Sequence, residues 1–87
     1  MKKEESKLIA EIEVDEEVMR RIISMNIRKF REEKGLTQTE LGEHFGKAKT
    51  TVASWEGGKS LPDAGLLYRL SKYLGVAIDD MYKQSKI

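Results

Sequence analysis

From residue 35 onward, glycines at four places divide this chain into segments of helical length, and each of these places follows the end of an apolar pattern with helical spacing. They are Gly35, Gly46, the pair Gly57-Gly58, and Gly75. Glycine commonly ends helices because it adopts the left-handed conformation without a side-chain penalty. The segments between them predict helices that begin at Thr37, Lys49 and Pro62, and a short closing helix from Val76 to Tyr82. The sequence therefore predicts an all-α fold.

Side-chain types within these segments indicate how the helices begin and which residues are buried. Thr37 and Glu40 have the spacing of a capping box, in which each satisfies a backbone N–H of the first turn. Val52 and Trp55 are spaced to bury one face of the third segment. We expect Trp55 to pack in the core rather than to stack on a base, and the same for the tyrosines: Tyr68, Tyr73 and Tyr82. The single histidine, His44, is expected to be solvated.

An additional helix should precede Gly35. Apolar residues from Val18 to Phe30 keep helical spacing, and Asp15 followed by Glu16 and Glu17 suits a helix start, where acidic groups are favoured. The pattern allows either one long helix or two helices with a break near Ser24–Asn26. Both alternatives remain open at this point.

Before that helix, residues 8–14 alternate apolar and acidic side chains at their end, which is typical of a half-buried strand. A single strand has nothing to pair with in its own chain, so it is either an unstructured arm or pairs with a second copy. We expect strand 8–14 or helix 16–24 to build a homodimer, through the side chains Ile9, Ile12, Val14, Val18, Met19 and Ile22.

Length and composition narrow the function. A chain of 87 residues supports one core and leaves no obvious room for a ligand pocket or a catalytic domain. Without cysteine there can be no disulfide or thiolate nucleophile, and no metal site, cofactor or enzymatic activity is expected. No apolar run is long enough to span a bilayer, which favours a cytoplasmic location with no membrane partner. The net charge is only +1, but residues 25–60 contain seven basic and five acidic groups.

Two short helices joined by a glycine-containing turn form a helix-turn-helix. Three fragments, in this order and spacing, resemble the Cro/CI-type (XRE, phage-repressor-like) helix-turn-helix family: residues 27–42 (IRKFREEKGLTQTELG), Trp55-Glu56-Gly57-Gly58-Lys59 with Pro62, and Leu74-Gly75-Val76. The resemblance implies a five-helix DNA-binding domain, with an N-terminal extension able to add one strand and a helical segment. We divide the chain into this extension (1–24), the DNA-binding domain (25–83) and a short tail (84–87).

The family places its third helix in the major groove of double-stranded DNA. With Val52 and Trp55 facing inward, the residues expected to contact bases are Lys49, Thr50, Ala53 and Ser54. A lysine can donate to guanine, the hydroxyls can pair with several bases, and the Ala53 methyl can meet a thymine methyl. Because this set has no arginine, asparagine or glutamine, part of the specificity is expected to come from DNA shape.

The resemblance also implies DNA phosphate contacts at Gln38, Arg31, Lys47, Lys59 and Ser60. It further implies an orienting pair between Arg31 and Glu56, since a guanidinium can grip a carboxylate in bidentate fashion and still turn an N–H outward. Lys47 stands where the family has an apolar residue, and Ala48 replaces the usual Ser or Thr cap. We therefore expect the third helix to start less firmly than is usual in the family.

The leading functional hypothesis is a transcriptional repressor that binds a pseudo-palindromic operator as a dimer. The alternative is an antitoxin or co-regulator that binds a partner protein and autoregulates through the same domain.

Overall fold

The computed structural model describes residues 16–84, which contain four α-helices and one 3₁₀ helix. Their bounds are α1 (Glu16–Glu33), α2 (Gln38–His44), α3 (Lys49–Glu56), α4 (Ala64–Leu74) and η1 (Ile78–Tyr82). The all-α prediction is confirmed, and no residue from 16 to 84 is in a strand. The candidate strand 8–14 lies outside the described residues. In that same range, no helix combines the length and apolar character that crossing a membrane requires.

The fifth predicted helix is a 3₁₀ turn and not an α-helix. Its backbone bonds join residues three apart, from Asp80 N to Ala77 O at 2.9 Å and from Lys83 N to Asp80 O at 3.4 Å. The Asp80 carboxylate also accepts the Ala77 N–H at 3.0 Å. Five residues are too few to offset the cost of nucleating an α-helix, so the segment takes the tighter form that short connections use.

α1 is one continuous helix of 18 residues, which settles the choice that the sequence left open. It passes through positions 24–26 without a break because the polar residues there are on the buried face. Asn26, 2% exposed, donates from Nδ2 to the carbonyls of Asp80, Met81 and Lys83 at 3.2, 2.9 and 2.9 Å. Its side chain thus fastens η1 to the middle of α1. The helix also continues across the expected domain boundary between residues 24 and 25.

The core lies where the four α-helices and η1 converge. Its buried side chains are Ile23, Ile27, Leu41, Val52, Trp55, Leu67, Leu70, Leu74 and Met81. Trp55 packs inside as expected and is 3% exposed. The same expectation was wrong for Tyr68 and Tyr82, which are 50% and 42% exposed, while Tyr73 is half-buried. Helical spacing alone does not separate a buried tyrosine from one whose ring lies along the surface.

The starts of α2 and α3 follow the expected pattern, whereas α4 begins at Ala64, two residues after the expected Pro62. Asp15, the expected start of α1, lies outside the described residues. The predicted capping box is confirmed, with the Glu40 N–H donating to Thr37 Oγ1 at 3.0 Å and the Thr37 N–H to Glu40 Oε1 at 2.9 Å. The Thr37 backbone N–H, followed by its hydroxyl, holds the pKa of Glu40 below its usual value. Asp63 caps α4, whereas Ala48 at the start of α3 offers no side-chain acceptor. The prediction that α3 begins without a capping side chain is confirmed.

Candidate nucleic-acid interface

The turn between α2 and α3 packs closely against α2 because a glycine, Gly42, lies at the contact. The turn between them is held by the Lys47 N–H, which donates to the Gly42 carbonyl at 2.8 Å. A Cβ at Gly42 would lie 2.5 Å from the Lys47 carbonyl oxygen, closer than real Cβ contacts come. Only glycine lets the turn fold back onto α2 at this distance. Lys47 itself is exposed, so the turn accommodates a lysine where the family has an apolar residue.

One face of α3 is buried and the other is open to solvent. Val52 and Trp55 are 0% and 3% exposed, whereas Lys49, Thr50 and Ala53 are all exposed. These three residues are members of the predicted base-contacting set, and their exposure leaves them accessible to a ligand.

Ser54, the fourth predicted base-contacting residue, is in a different position. It is half-buried, and its hydroxyl is 2.8 Å from that of Ser60. The Ser54 carbonyl also accepts the N–H groups of Lys59 and Ser60 at 3.0 and 3.4 Å. Ser54 therefore helps to fold the turn after α3, and its hydroxyl is already engaged.

A buried ion pair joins α1 to the end of α3. Arg31 Nε and Nη2 donate to the two carboxylate oxygens of Glu56 at 2.6 and 2.9 Å. The side chains are 10% and 4% exposed, so the bidentate pair is shielded from water. Arg31 Nη1 also donates to the Leu36 carbonyl at 2.7 Å. The hydrogen bond to Glu56 raises the pKa of the Arg31 guanidinium.

Gln38 extends this network to the first residue of α2. Its Nε2 donates to Glu56 Oε1 at 3.0 Å, so the amide points toward α3. Glu56 thus ties α1, α2 and α3 together with one carboxylate. The network fixes the orientation of the helix-turn-helix relative to the rest of the domain.

The other residues predicted to contact phosphate are exposed. Lys47 precedes α3, and Lys59 and Ser60 follow it. Ala48 provides no capping side chain, so the start of α3 has no side-chain hydrogen bond to its N–H groups, and such helix starts attract anions. Basic groups therefore lie at both ends of the exposed face of α3.

Comparison with known proteins agrees with this geometry. The helix-turn-helix family profile matches residues 27–81, which is more than half of the chain. The chain belongs to the Cro/CI-type (XRE) helix-turn-helix family.

Curated relatives cover the same region. An uncharacterised HTH-type transcriptional regulator of Sinorhizobium fredii is 37% identical over 68% of this chain and 77% of its own length. One from Archaeoglobus fulgidus is 34% identical over 64% of this chain and 80% of its length. The HTH-type transcriptional activator BcrR of Enterococcus faecalis is 34% identical over 63% of this chain, but the match spans only 27% of BcrR.

A solved structure shows the same fold. The solution structure of the SOS-response transcriptional repressor LexA from Eubacterium rectale aligns with a TM-score of 0.71 at 23% identity. The alignment covers 79% of this chain and 73% of that one. It therefore includes part of the helix before residue 27, where the family match begins.

The helix-turn-helix domain also contains contacts that the sequence did not indicate. His44 is exposed, as expected, but its ring also stacks on the Tyr73 ring with centroids 3.7 Å apart and meets the Phe45 ring edge-on at 4.8 Å. His44 and Tyr73 are far apart in sequence, and no local pattern signals the contact. Asn26 did leave a signal, since a polar residue between Ile23 and Ile27 on a helix face requires a buried partner.

Part of α1 carries an exposed apolar stripe before the family match begins. Val18, Met19 and Met25 are 47%, 37% and 62% exposed, and Ile22 between them is half-buried. Val18, Ile22 and Met25 are spaced four and three residues apart, which aligns them on one side of the helix. The other residues predicted to form the dimer, Ile9, Ile12 and Val14, lie outside the described residues.

Proposed function

We propose that this protein is a sequence-specific, DNA-binding transcriptional regulator that represses by occupying an operator in the cytoplasm. The observation that carries the proposal is the exposed face of α3, where Lys49, Thr50 and Ala53 stand clear of the core. A helix is the element that fits the major groove, and its exposed side chains contact base edges there. The buried pair of Arg31 and Glu56 holds that face in a fixed orientation.

Phosphates would anchor the domain on both sides of the groove. Lys47 and Lys59 are exposed at either end of α3, and Ser60 lies beside Lys59. Gln38 and Arg31 contribute mainly through Glu56, since both side chains donate to its carboxylate. A direct phosphate contact would use the N–H groups on Arg31 and Gln38 that Glu56 leaves unused.

Base contacts from so few side chains leave part of the specificity to DNA shape. With Ser54 engaged by Ser60, Lys49 and Thr50 are the members of the predicted base-contacting set whose polar groups remain free for bases. We therefore propose that base pairs between the half-sites, which no side chain touches, affect binding through the cost of bending or twisting them. Changing only those central pairs should alter operator affinity, and equal affinity for all central sequences would refute shape readout.

We further propose that the operator is pseudo-palindromic and that two copies bind it, with half-sites about 34 Å apart. A single module of this size buries limited DNA surface, so pairing strengthens binding. Val18, Met19 and Ile22 on the stripe support this arrangement, because exposed apolar groups on one helix side favour contact with another apolar surface.

The main test is selection of bound sequences from a random DNA pool, followed by affinity measurement with single variants. Thr50→Ala and Lys49→Gln should weaken binding to the selected site and reduce its preference over random sequence, by about 1–3 kcal/mol for each base interaction that the substitution removes. Lys72→Gln, which removes one charge from α4, is the matched control. If no sequence is enriched, or if Lys72→Gln weakens the preference as much as Lys49→Gln does, the proposed recognition face is wrong.

Dimerisation is tested by the mass of the protein in solution. Replacing Val18 with Glu places a charge on the exposed stripe without touching the core, and it should convert a dimer into a monomer. Deleting residues 1–14 separates the two candidate interfaces, since a dimer that survives the deletion is built by α1. A wild-type chain that stays monomeric and instead binds a partner protein through the stripe would favour the antitoxin or co-regulator function.

A further inference from the structure

An open cleft of about 610 Å³ lies between the first half of α1 and the turn that follows α3. The sequence had left no obvious room for such a feature. One wall is formed by α1, with Arg20 and Arg21, and the other by the turn Gly57-Gly58-Lys59. Arg20 and Arg21 precede residues 27–81, the part that matches the family profile.

Most basic residues in the region that the structure describes are already engaged. Arg28, Arg31 and Lys83 form ion pairs, and four others lie over aromatic rings: Lys29, Lys34, Arg69 and Lys72.

Within residues 16–84, five basic side chains have neither kind of partner: Arg20, Arg21, Lys47, Lys49 and Lys59. All five are exposed. Three of them are the lysines of the proposed DNA-binding face. The other two, Arg20 and Arg21, share the cleft with Lys59.

The floor of the cleft contains a buried hydroxyl without a partner. Ser24 is 2% exposed, and its Oγ has no hydrogen-bond partner among the described residues. A Cβ at Gly58 would lie 3.6 Å from this oxygen, so the Gly58 backbone lies beside the Ser24 hydroxyl. A buried polar group that lacks a partner costs free energy, and a ligand oxygen would remove that cost.

Acidic residues near the cleft reduce its positive charge but do not neutralise it. Both oxygens of Glu56 are occupied, by Arg31 and Gln38, so its charge is neutralised within the domain. Glu16 and Glu17 lie in the first turn of α1 and also line the cleft. They oppose an anion there, and their removal should strengthen its binding.

We propose that this cleft binds a phosphate group, held by Arg20, Arg21 and Lys59. A phosphate requires several donors and positive charge, which two guanidinium groups and one ammonium provide. The inference rests on the proposed function in one respect, that the phosphate belongs to the DNA backbone beside Lys59. The extended first half of α1 then adds a second phosphate-contacting wall to the helix-turn-helix.

The test compares two variants with equal loss of charge. Arg20→Gln/Arg21→Gln removes the α1 wall, and Arg69→Gln/Lys72→Gln removes two charges from α4, outside the cleft. Affinity for a short random-sequence duplex is measured between about 50 and 200 mM salt, where removing one phosphate contact lowers the salt slope by about 0.9. The cleft variant should lose about one to two units of slope and bind roughly fivefold more weakly per contact near physiological salt. The control variant should keep the wild-type slope, and Glu17→Gln should bind more tightly.

A second measurement identifies the source of the phosphate and checks folding. Inorganic phosphate is titrated at constant ionic strength while the amide signals of Gly58 and Lys59 are followed by NMR. Shifts in the wild type that disappear in the cleft variant support a phosphate site, and if the salt slope is unchanged they assign it to a free phosphate instead of DNA. Equal salt slopes for the two variants, together with no phosphate-dependent shifts, would overturn the proposal. If the wild type binds no DNA, the proposed function fails while the phosphate titration still decides the cleft.

Discussion

Replacing Arg31 with Met should destabilise the domain strongly, because it leaves Glu56 charged and buried. The two side chains are 10% and 4% exposed, and Arg31 supplies both short bonds to the carboxylate. After the substitution, Glu56 keeps Gln38 as a donor, and the Leu36 carbonyl loses the bond from Arg31. Breaking a buried pair from one side costs about 3–5 kcal/mol. We expect a loss near the lower limit, about 3 kcal/mol, because Gln38 remains.

That loss should be visible in thermal and urea unfolding. For a domain of this size, each kcal/mol lowers the Tm by roughly 4–8 °C, so Arg31→Met should lower it by roughly 12–24 °C. The matched control is Arg28→Met on the same helix, whose pair with Glu32 is 3.6 Å long between side chains that are 64% and 54% exposed. Such exposed pairs contribute at most about 0.5 kcal/mol.

A double-mutant cycle separates the pair from the cost of burying a single charge. Arg31→Met/Glu56→Met removes both charges and fills the site with apolar groups of similar length, so its stability should return close to that of the wild type. DNA affinity of the double variant should stay low, because the link that orients α3 is lost. If Arg31→Met lowers the free energy of unfolding by less than about 1 kcal/mol, as an exposed pair would, the buried-pair reasoning is wrong.

Three further outcomes follow from particular contacts. Gly42→Ala should destabilise the domain by about 2 kcal/mol or more, since its Cβ would lie 2.5 Å from a backbone oxygen. Gly65→Ala, whose Cβ would have its nearest contact at 3.7 Å, should leave stability unchanged or raise it. Similar urea midpoints for the two variants would contradict this prediction. Asn26→Asp replaces the donor to three carbonyls with an acceptor and should lower the free energy of unfolding by about 2–3 kcal/mol. An unchanged urea midpoint would show that η1 is held by other contacts. The folded protein lowers the pKa of Glu40, so the ionised Glu40 carboxylate stabilises the folded state. This stabilisation is fully present above the unfolded-state pKa near 4.5, and it is lost as pH falls through the lower pKa of the folded state. The free energies of unfolding of the wild type and Glu40→Gln, plotted against pH, should therefore converge at acidic pH. A constant difference between them at all pH values would show that Glu40 stabilises the domain through packing instead of charge.

Local chemistry accounts for most of the helix boundaries. Thr37 and Glu40 form the capping box that their spacing predicted, and Gly75 adopts the left-handed conformation expected after a helix. The burial of Val52 and Trp55 also followed from spacing, and it left Lys49 and Thr50 exposed. These features depend on residues a few positions apart, and such interactions can be inferred from sequence.

The sequence by itself determined where most helices begin and end, the family, and which face of α3 is exposed. Only the tertiary structure decided that α1 is continuous, that Ser54 pairs with Ser60, and that Arg20 and Arg21 share a cleft with Lys59. It also placed Arg31 against Glu56 at bidentate distance, where the resemblance gave only the pairing. The physical reason is distance along the chain: helix patterns are set within one or two turns, whereas a pair, a stack or a cleft depends on how separate elements pack. Residues 57–59 and 20–21 are brought to one cleft by the burial of Ile23, Ile27 and Trp55, and no local pattern records that outcome.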